Sequence, residues 1–341
     1  MKIFILKIVN YYCLITILSI ALYSFTKHNL IFDITAKKFV QAFSQKNLVI
    51  KHEIAEERRV VTQNIIKNKG KHFQNLIIGS SRVMQFGRQT GFKNSLNLGV
   101  SGANLYDIKY IYILTQENSI SYDTIIFDFN PWLVTNSDSR YKQFERLHIA
   151  KYALYDILKF NYNSEDLISL IGLVTNYQFS YTTASAEDID SHSYFIKFTD
   201  GSIQLKKKEE DQRKKEIDKF VKNLYQMHGF YSIDTNKLNK TIRIFNTASS
   251  FGKCIVTLTP FHHNIYIEKK SDKRIQNISL IERKISESKR NFEVLGSFDP
   301  NKIDVTETDF LDGFHLNEFA INKIFAYSTS SKSNRNHQGS N

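Results

Sequence analysis

The chain has 341 residues, a formal net charge of +12 and 42% hydrophobic residues, which is enough to bury one large core plus an insertion or small second lobe. Its basic residues are interleaved with acidic ones, as in residues 206–216, a pattern typical of a solvated helix face. No aromatic-rich basic motif occurs, so we exclude a nucleic-acid partner, whereas attraction to anionic lipid headgroups or an acidic polymer is compatible with the charge.

The first predicted element is an apolar segment over residues 8–25, which contains no charged side chain. Crossing a bilayer takes roughly 18 to 20 apolar residues. A cleaved signal peptide and a buried core helix are the competing interpretations, but a signal peptide has a shorter apolar region and a small-x-small cleavage site. We therefore expect residues 1–29 to be an uncleaved anchor in the cytoplasmic membrane. The flanking charges do not determine its orientation, and a single N-terminal anchor most simply leaves the following domain extracytoplasmic.

Three further regions follow the predicted anchor. Residues 30–70 are predicted to be a helical linker, because spaced apolar residues over 34–69 favour one or two amphipathic helices. Residues 71–327 are predicted to form the main domain. The polar residues 328–341 are expected to be a disordered tail.

The main domain is predicted to be an α/β three-layer sandwich around a parallel sheet of about five strands, similar to the flavodoxin arrangement. Short apolar runs closed by small residues or proline indicate buried parallel strands. These runs lie at residues 74–79, 95–100, 123–129, 253–260 and 292–295. Helices that cover the sheet are predicted at residues 105–116, 234–250 and 271–290.

Residues 133–251 are predicted to be an insertion rich in tyrosine and phenylalanine. Helical patterns occur at 141–161 and 165–174. Residues 191–204 are polar and extended, with a hairpin turn predicted at 199–202. Long insertions at the active edge of a scaffold often form lids or acceptor sites, so we expect a role of this kind here.

Four short segments carry the residues of a serine esterase. Such an enzyme needs a hydroxyl nucleophile, a base within hydrogen-bond reach, a group that orients the base, and donors for the oxyanion. Three segments follow predicted parallel strands, whose carboxyl ends meet at one edge of the sheet. The segments are Gly79-Ser80-Ser81-Arg82, Gly99-Val100-Ser101-Gly102, Asp128-Phe129-Asn130-Pro131 and Asp312-Gly313-Phe314-His315.

Each role has a candidate residue. Ser81 is the candidate nucleophile, His315 the base and Asp312 its orienting group, while the Gly102 N–H and the Asn130 amide are candidate oxyanion donors. The spacing of Asp312 and His315 brings both side chains to one side of a turn that enters a predicted helix over 316–327. Asp312 could hold the imidazole or provide an N-terminal charge for that helix.

In this order the four segments resemble those of the SGNH (GDSL-like) hydrolase superfamily, over residues 73–135 and 252–327. The resemblance implies Ser81 as nucleophile, His315 as base and Asp312 as orienter. It also implies an oxyanion hole from the Ser81 backbone, Gly102 and Asn130. Two positions depart from the family pattern, because Ser80 stands where Asp is usual and the third segment lacks the usual Gly-x-Asn-Asp.

The Gly-Ser-Ser-Arg form behind a membrane anchor resembles relatives found beside bacterial cell-surface polysaccharide machinery. The expected function is a serine esterase or O-acyltransferase that acts on O-acyl, chiefly O-acetyl, groups of an envelope polysaccharide or glycolipid, without a cofactor. The same residues serve hydrolysis and transfer. A membrane-bound acyltransferase is a candidate partner. The alternative is an inactive protein of the same fold that binds glycan or takes part in envelope assembly.

Three more residues are candidates for substrate binding. Arg82 could contact an anionic group of the substrate or stabilise the oxyanion side, or it could instead form an ion pair with Asp128. His262 and His263 follow a predicted strand that ends at the active edge, so we expect them to line the pocket. No third ligand accompanies these histidines, and no metal site is predicted.

Overall fold

The computed structural model describes residues 33–50, 57–87, 90–135, 181–193, 195–206, 208–226, 228–267, 271–288 and 291–333, with the isolated positions 12, 15, 16 and 19. The helices predicted at 141–161 and 165–174, and nearly all of the predicted anchor, lie outside these residues. Among the residues described, no helix is both long and apolar enough to cross a membrane.

The elements are numbered in chain order. The strands are β1 (Leu48–Ile50), β2 (His72–Ile78), β3 (Ser95–Asn97), β4 (Ser121–Asp128), β5 (Tyr181–Thr183), β6 (Phe195–Lys197), β7 (Ile203–Gln204), β8 (Lys253–Leu258) and β9 (Glu293–Gly296). The helices are α1 (33–43), α2 (Glu57–Lys67), α3 (Leu105–Glu117), α4 (Ala186–Ser191), α5 (Glu210–Gln226), α6 (Thr235–Ala248), α7 (His263–Tyr266), α8 (Lys273–Glu287) and α9 (Glu318–Ser333). Because α9 continues to Ser333, the first residues of the predicted disordered tail are helical.

The main sheet has five parallel strands in the order β3-β2-β4-β8-β9, which confirms the predicted α/β class and all five predicted strands. In this register Ile78 pairs with Phe127, and Asp128 pairs with Thr257. The carboxyl ends of β2, β4 and β8 therefore lie side by side, and the segments that follow them share one edge of the sheet.

Apolar side chains cover both faces of this sheet, because successive strand residues point to opposite sides. On one face, Leu76 and Phe127 join a core with residues of α3, α6 and α8. On the other face, Ile77 and Ile126 pack with residues of α9. Burial on both faces explains why the strands are near-continuous apolar runs in the sequence.

Helix α3 starts where the chain leaves the second motif. Asn104 caps this helix, since its side chain accepts hydrogen bonds from the N–H groups of Tyr106 and Asp107. The Asp107 carboxylate in turn accepts a hydrogen bond from the Asn104 N–H. This is a capping box, which satisfies donors that the first turn leaves free. Asp107 also accepts two hydrogen bonds from Arg58 on α2, so the same carboxylate joins the two helices.

A second, antiparallel sheet has the order β5-β1-β6-β7 and combines the region before the main domain with the insertion. The linker was predicted to be helical, but its Leu48–Ile50 segment is the strand β1. A run of three apolar residues is ambiguous between helix and strand, and here tertiary pairing decides. Phe39 and Phe43 of α1 pack with Leu48 and Val60 in a separate core.

The predicted hairpin turn is present between β6 and β7, with Gly201 at a φ of 86°. The hairpin docks on the main domain through two backbone hydrogen bonds. The Ile203 N–H donates to the Met84 oxygen at 2.7 Å, and the Asn97 N–H donates to the Asp200 oxygen at 2.8 Å. This part of the insertion therefore supports the turn that follows β2, where Ser81 lies.

Candidate active site

Ser81 lies in a turn that starts immediately after β2. Gly79 precedes this turn, and a Cβ at Gly79 would lie 2.4 Å from Asp128 Cβ and 2.6 Å from a methyl group of Val83. Only glycine fits at this close approach. The turn then continues with backbone bonds from Val83 to Ser80 and from Met84 to Ser81. The serine side chain is half-buried at the carboxyl edge of the sheet.

Ser81, His315 and Asp312 form a continuous chain of hydrogen bonds. Ser81 Oγ lies 3.0 Å from His315 Nε2, and His315 Nδ1 lies 2.9 Å from Asp312 Oδ2. An ionised carboxylate only accepts, so the Nδ1 proton faces Asp312 and Nε2 is free to accept the serine proton. The structure thus brings together the three residues predicted as nucleophile, base and orienter.

The loop that carries His315 is held by Asp312 as well. Asp312 Oδ1 accepts the N–H groups of Phe314 and His315, both at 2.7 Å. Helix α9 begins only at Glu318, where Asn317 accepts the Ala320 N–H, so Asp312 does not cap that helix. Burial alone would raise the pKa of Asp312. The hydrogen bond and charge of the His315 ring, together with the backbone N–H groups of His315 and Phe314, outweigh burial and lower this pKa to about 2. The carboxylate stays ionised at neutral pH.

Two backbone N–H groups in the segments that follow β2 and β3 are candidates for the predicted oxyanion donors. Neither the Ser81 N–H nor the Gly102 N–H has an acceptor within the described part of the chain. Gly102 has a φ of 60° and open space where a Cβ would be. The neighbouring Ser101 is held by Glu57, whose carboxylate accepts its N–H at 2.6 Å and its hydroxyl at 3.0 Å. Glu57 thus fixes the exposed segment that carries the Gly102 N–H.

Asn130 is completely buried, and its side-chain amide bonds to three residues within the protein. Its Nδ2 donates to Ser80 Oγ at 2.9 Å and also to Asp128 Oδ2, while its Oδ1 accepts Arg82 Nη1 at 3.0 Å. In this arrangement the amide holds the base of the serine turn. Because Asn130 is completely buried, it could act as an oxyanion donor, as predicted, only if it became accessible to a substrate.

Ser80 and Asp128 connect the turn after β2 to the end of β4. Asp128 Oδ2 accepts both the hydroxyl and the N–H of Ser80, the latter at 3.2 Å. Burial raises the pKa of Asp128, and the charge of Arg82 and the bonds from Ser80 and Asn130 partly oppose this shift. The other oxygen, Oδ1, is buried without a partner.

Arg82 lies beneath the site and is only 2% exposed. It donates to Asn130 and to the Pro260 oxygen, and its guanidinium carbon lies 5.0 Å from the Phe261 ring centroid and 4.6 Å from that of Phe314. Burial lowers its pKa to about 10, although the nearby carboxylates raise it. The direct partners of Arg82 are thus neutral oxygens, and its burial gives no support to the predicted substrate contact.

Two supporting residues were not predicted from the sequence. Asn97 Nδ2 donates to the Val83 and Phe86 oxygens, each at 2.7 Å. Gln85 Nε2 donates to the Leu316 oxygen at 2.9 Å and so joins the serine turn to the histidine loop. An asparagine within a buried strand is the signal that could have identified Asn97.

The rim of the site is partly aromatic. Trp132 stacks on Phe314, with ring centroids 5.2 Å apart, and both side chains are half-buried. The Phe314 ring meets the His315 ring edge to face at 5.2 Å. The His262 ring centroid lies 5.0 Å from that of Phe310, which precedes the segment with Asp312 and His315. His262 is only 1% exposed, and the ring of the second predicted pocket histidine, His263, lies 6.2 Å from it.

Comparison of the sequence with protein-family models and with curated proteins finds no match.

Proposed function

We propose that this chain is a membrane-anchored serine esterase or O-acyltransferase of the SGNH type. The observation that carries the proposal is the hydrogen-bond chain from Ser81 Oγ through His315 to Asp312, with distances of 3.0 and 2.9 Å. This is the geometry that activates a serine hydroxyl for attack on an ester carbonyl. The parallel sheet with helices on both faces fits the sandwich of that superfamily.

In the proposed mechanism, His315 Nε2 takes the Ser81 proton as Oγ attacks the ester carbon. The N–H groups of Ser81 and Gly102 hold the oxyanion, and Asp312 stabilises the imidazolium. The tetrahedral intermediate then collapses to an acyl-serine, and His315 passes its proton to the departing alcohol. Water completes a hydrolysis and a sugar hydroxyl completes a transfer, with His315 again removing the proton of the incoming group.

The proposed substrate is an O-acyl group, with acetyl as the expected case, on an envelope polysaccharide or glycolipid. The half-buried pair of Trp132 and Phe314 beside His315 supports a substrate with flat apolar faces, as sugar rings have. The apolar N-terminal segment supports an extracytoplasmic domain at the membrane. A membrane-bound acyltransferase that supplies acyl groups is the proposed partner.

The test uses the full chain purified in a mild detergent. We expect a fluorophosphonate probe to label the wild type, and a chromogenic acetyl ester to be hydrolysed. Ser81→Ala should abolish labelling, and His315→Ala should reduce labelling and turnover at least about 10³-fold, because the base is lost. Ser101→Ala, a serine on the same edge without an imidazole partner, is the matched control and should still be labelled. A folded wild type that neither reacts with the probe nor turns over the ester would refute the proposal.

One observation favours a second candidate, an inactive protein of this fold that binds glycan in an envelope assembly. Asn130 is completely buried and its amide nitrogen already has two acceptors within the protein, so the N–H groups of Ser81 and Gly102 are the candidate donors that have no acceptor among the described residues. Loss of one donor costs about 10²–10³-fold in rate. Glycan binding that is equal in the wild type and in Ser81→Ala, without any labelling, would support this candidate.

A further inference from the structure

The segment that carries the Gly102 N–H lies against the turn that follows β2. The Val100 N–H donates to the Gly79 oxygen at 3.0 Å. A Cβ at Gly99 would lie 3.2 Å from the Ser80 oxygen. The segments after β2 and β3 therefore touch each other, so a shift of the second one would move its N–H groups relative to the first.

The Gly102 N–H belongs to an exposed turn of four residues, 100–103. The turn is closed by a hydrogen bond from the Ala103 N–H to the Val100 oxygen at 3.3 Å, and its two central residues, Ser101 and Gly102, are exposed. Gly102 has a φ of 60° and nothing within 4 Å of its Cβ position. Glycine also has more backbone freedom than other residues. A contact from outside the turn is therefore needed to keep this N–H group in one place.

Glu57, the first residue of α2, provides such a contact. Its Oε2 accepts the Ser101 N–H at 2.6 Å, and its Oε1 accepts the Ser101 hydroxyl at 3.0 Å. Hydrogen bonds to a carboxylate are stronger than those between neutral groups, and two of them restrain orientation as well as position. The restrained residue is the immediate neighbour of Gly102.

Helix α2 is anchored to the main domain without Glu57. Arg58 donates two hydrogen bonds to Asp107 of α3, at 2.9 and 2.7 Å, and Val61 and Ile65 are buried in the core on one face of the main sheet. Glu57 also lies in the first turn of α2, where a negative charge favours a helix. That role depends on charge, whereas holding the turn 100–103 depends on hydrogen bonds.

We infer that Glu57 is a positioning residue for the proposed reaction, which holds the Gly102 N–H where the oxyanion forms. This inference rests on the proposed function and deepens it, because it adds a residue from the region before the main domain to the catalytic arrangement. Glu57 acts through Ser101 and needs no contact with the substrate. A group misplaced by about 1 Å can cost about a hundredfold in rate, so a restraint of this kind affects catalysis.

The first test is turnover of a chromogenic acetyl ester by the full chain in a mild detergent. Glu57→Ala should lower kcat and kcat/KM equally, by about tenfold to a hundredfold, with KM unchanged, because an oxyanion donor acts in the transition state. Glu57→Gln should recover most of this loss, since its amide can accept the Ser101 N–H and donate to the Ser101 hydroxyl. A Glu57→Gln variant as slow as Glu57→Ala would assign the effect to charge at the start of α2 and would overturn the inference.

Arg59→Ala is the matched control, since Arg59 lies in the same helical turn and pairs with Asp33 at 3.1 Å. It should change kcat by less than about twofold, because the ion pair that it loses is to another part of the chain. Equal losses in Arg59→Ala and Glu57→Ala would show only a general dependence on α2, and would contradict a specific role of Glu57. An unchanged kcat in Glu57→Ala would contradict it as well.

Amide hydrogen exchange separates this inference from the proposed activity. The Ser101 N–H should exchange about tenfold faster in Glu57→Ala than in the wild type, in peptides that cover residues 99–104, because it loses its acceptor. Exchange in β2 and β4 should stay the same. Ester turnover that Glu57→Ala leaves unchanged would reject the positioning role and keep the esterase. If the wild type turns over no ester, the proposed activity fails and the catalytic role of Glu57 fails with it, whereas faster exchange would still show that α2 holds the turn.

Discussion

The position of Ser81 depends on four buried polar residues that hold the turn after β2. Ser80, Arg82, Asp128 and Asn130 are each at most 2% exposed, and every one of them bonds to at least one other. A buried polar network of this kind favours one geometry, because a rearrangement would break several of its hydrogen bonds at once. The network joins the ends of β2 and β4, so Ser81 is positioned by the sheet itself.

Asp128→Asn should therefore impair both folding and the reactivity of Ser81. The oxygen of the new amide could still accept from Ser80 and Asn130, but its NH2 group would take the buried position of Oδ1, which has no partner, and Arg82 would lose a buried negative charge that acts on it. We expect a loss of about 2–4 kcal/mol in unfolding free energy and at least a tenfold slower reaction of Ser81 with a fluorophosphonate. Asp123→Asn is the control, as Asp123 lies on the same strand with a side chain 64% exposed, and should change stability by less than about 0.5 kcal/mol. Equal effects of the two variants would contradict the network.

Protonation of Asp312 at low pH should lower the stability of the folded protein. Its pKa falls from 3.8 to about 2 on folding, so it stabilises the folded state fully above about pH 4, and this contribution is lost as the pH falls through about 2. The contribution is about 2 kcal/mol, because one pKa unit corresponds to about 1.4 kcal/mol.

The measurement is urea unfolding of the wild type and Asp312→Asn between pH 2 and pH 6, followed by the fluorescence of Trp132, the single tryptophan. The difference in unfolding free energy between the two proteins should shrink toward zero at pH 2. A difference that stays constant over this range would show that Asp312 does not titrate as described.

For single residues, the sequence allowed a prediction where a chemical role requires one type of side chain. Ser81, His315 and Asp312 were predicted from role and order alone, and they form one hydrogen-bond chain. The partners of Arg82 and Asn130 were not predictable in this way, because both side chains bond to atoms distant in the sequence. Arg82 reaches Pro260, 178 positions away, and only the folded chain brings the two together.

Among the elements, the β6–β7 hairpin has the most direct effect on the site. Its turn lies against β3 and its second strand bonds to the serine turn at Met84. Gly201 makes the closest approach, since a Cβ there would lie 2.4 Å from the backbone oxygen of Asn97. The expected role of the insertion as a lid or acceptor site stays a prediction. The hairpin itself supports the turn that carries Ser81, through the hydrogen bond to Met84.

Gly201→Ala should consequently lower the unfolding free energy by more than the strain of a positive φ alone would explain. A left-handed conformation costs a non-glycine residue about 1–2 kcal/mol, and the clash with Asn97 adds to this. Gly91→Ala is the matched control, because Gly91 has the same φ of 86° but nothing within 4 Å of its Cβ position. We expect Gly201→Ala to lower the unfolding free energy by at least about 1 kcal/mol more than Gly91→Ala, in the same urea assay. Equal losses would show that the hairpin can move away from β3.

The elements themselves were predictable to different degrees. The five parallel strands are apolar runs closed by glycine, proline or polar residues, and all five were found. The strand β1 was not, because it is three residues long and owes its structure to pairing with β5 and β6, more than 100 residues away in the chain. Propensity carries no information about such a partner.

Over the whole molecule, α2 joins two separate cores. Val60 packs in the core of the second sheet, whereas Val61 and Ile65 pack in the core on one face of the main sheet. Val60 and Val61, which are adjacent on one helix, thus belong to two different hydrophobic cores. The region before the main domain is for this reason a part of the folded unit, and the description as a linker is too simple.

The two halves of the proposed catalytic pair lie 234 residues apart, one after β2 and the other after β9. During synthesis from the N-terminus, the serine turn and the strands β2 and β4 emerge long before the histidine. At a typical rate of about 5–20 residues per second, the interval is on the order of ten seconds or more. Throughout that time the Ser81 hydroxyl lacks its hydrogen-bond partner His315. The proposed catalytic pair can therefore be complete only after nearly all of the chain has been made.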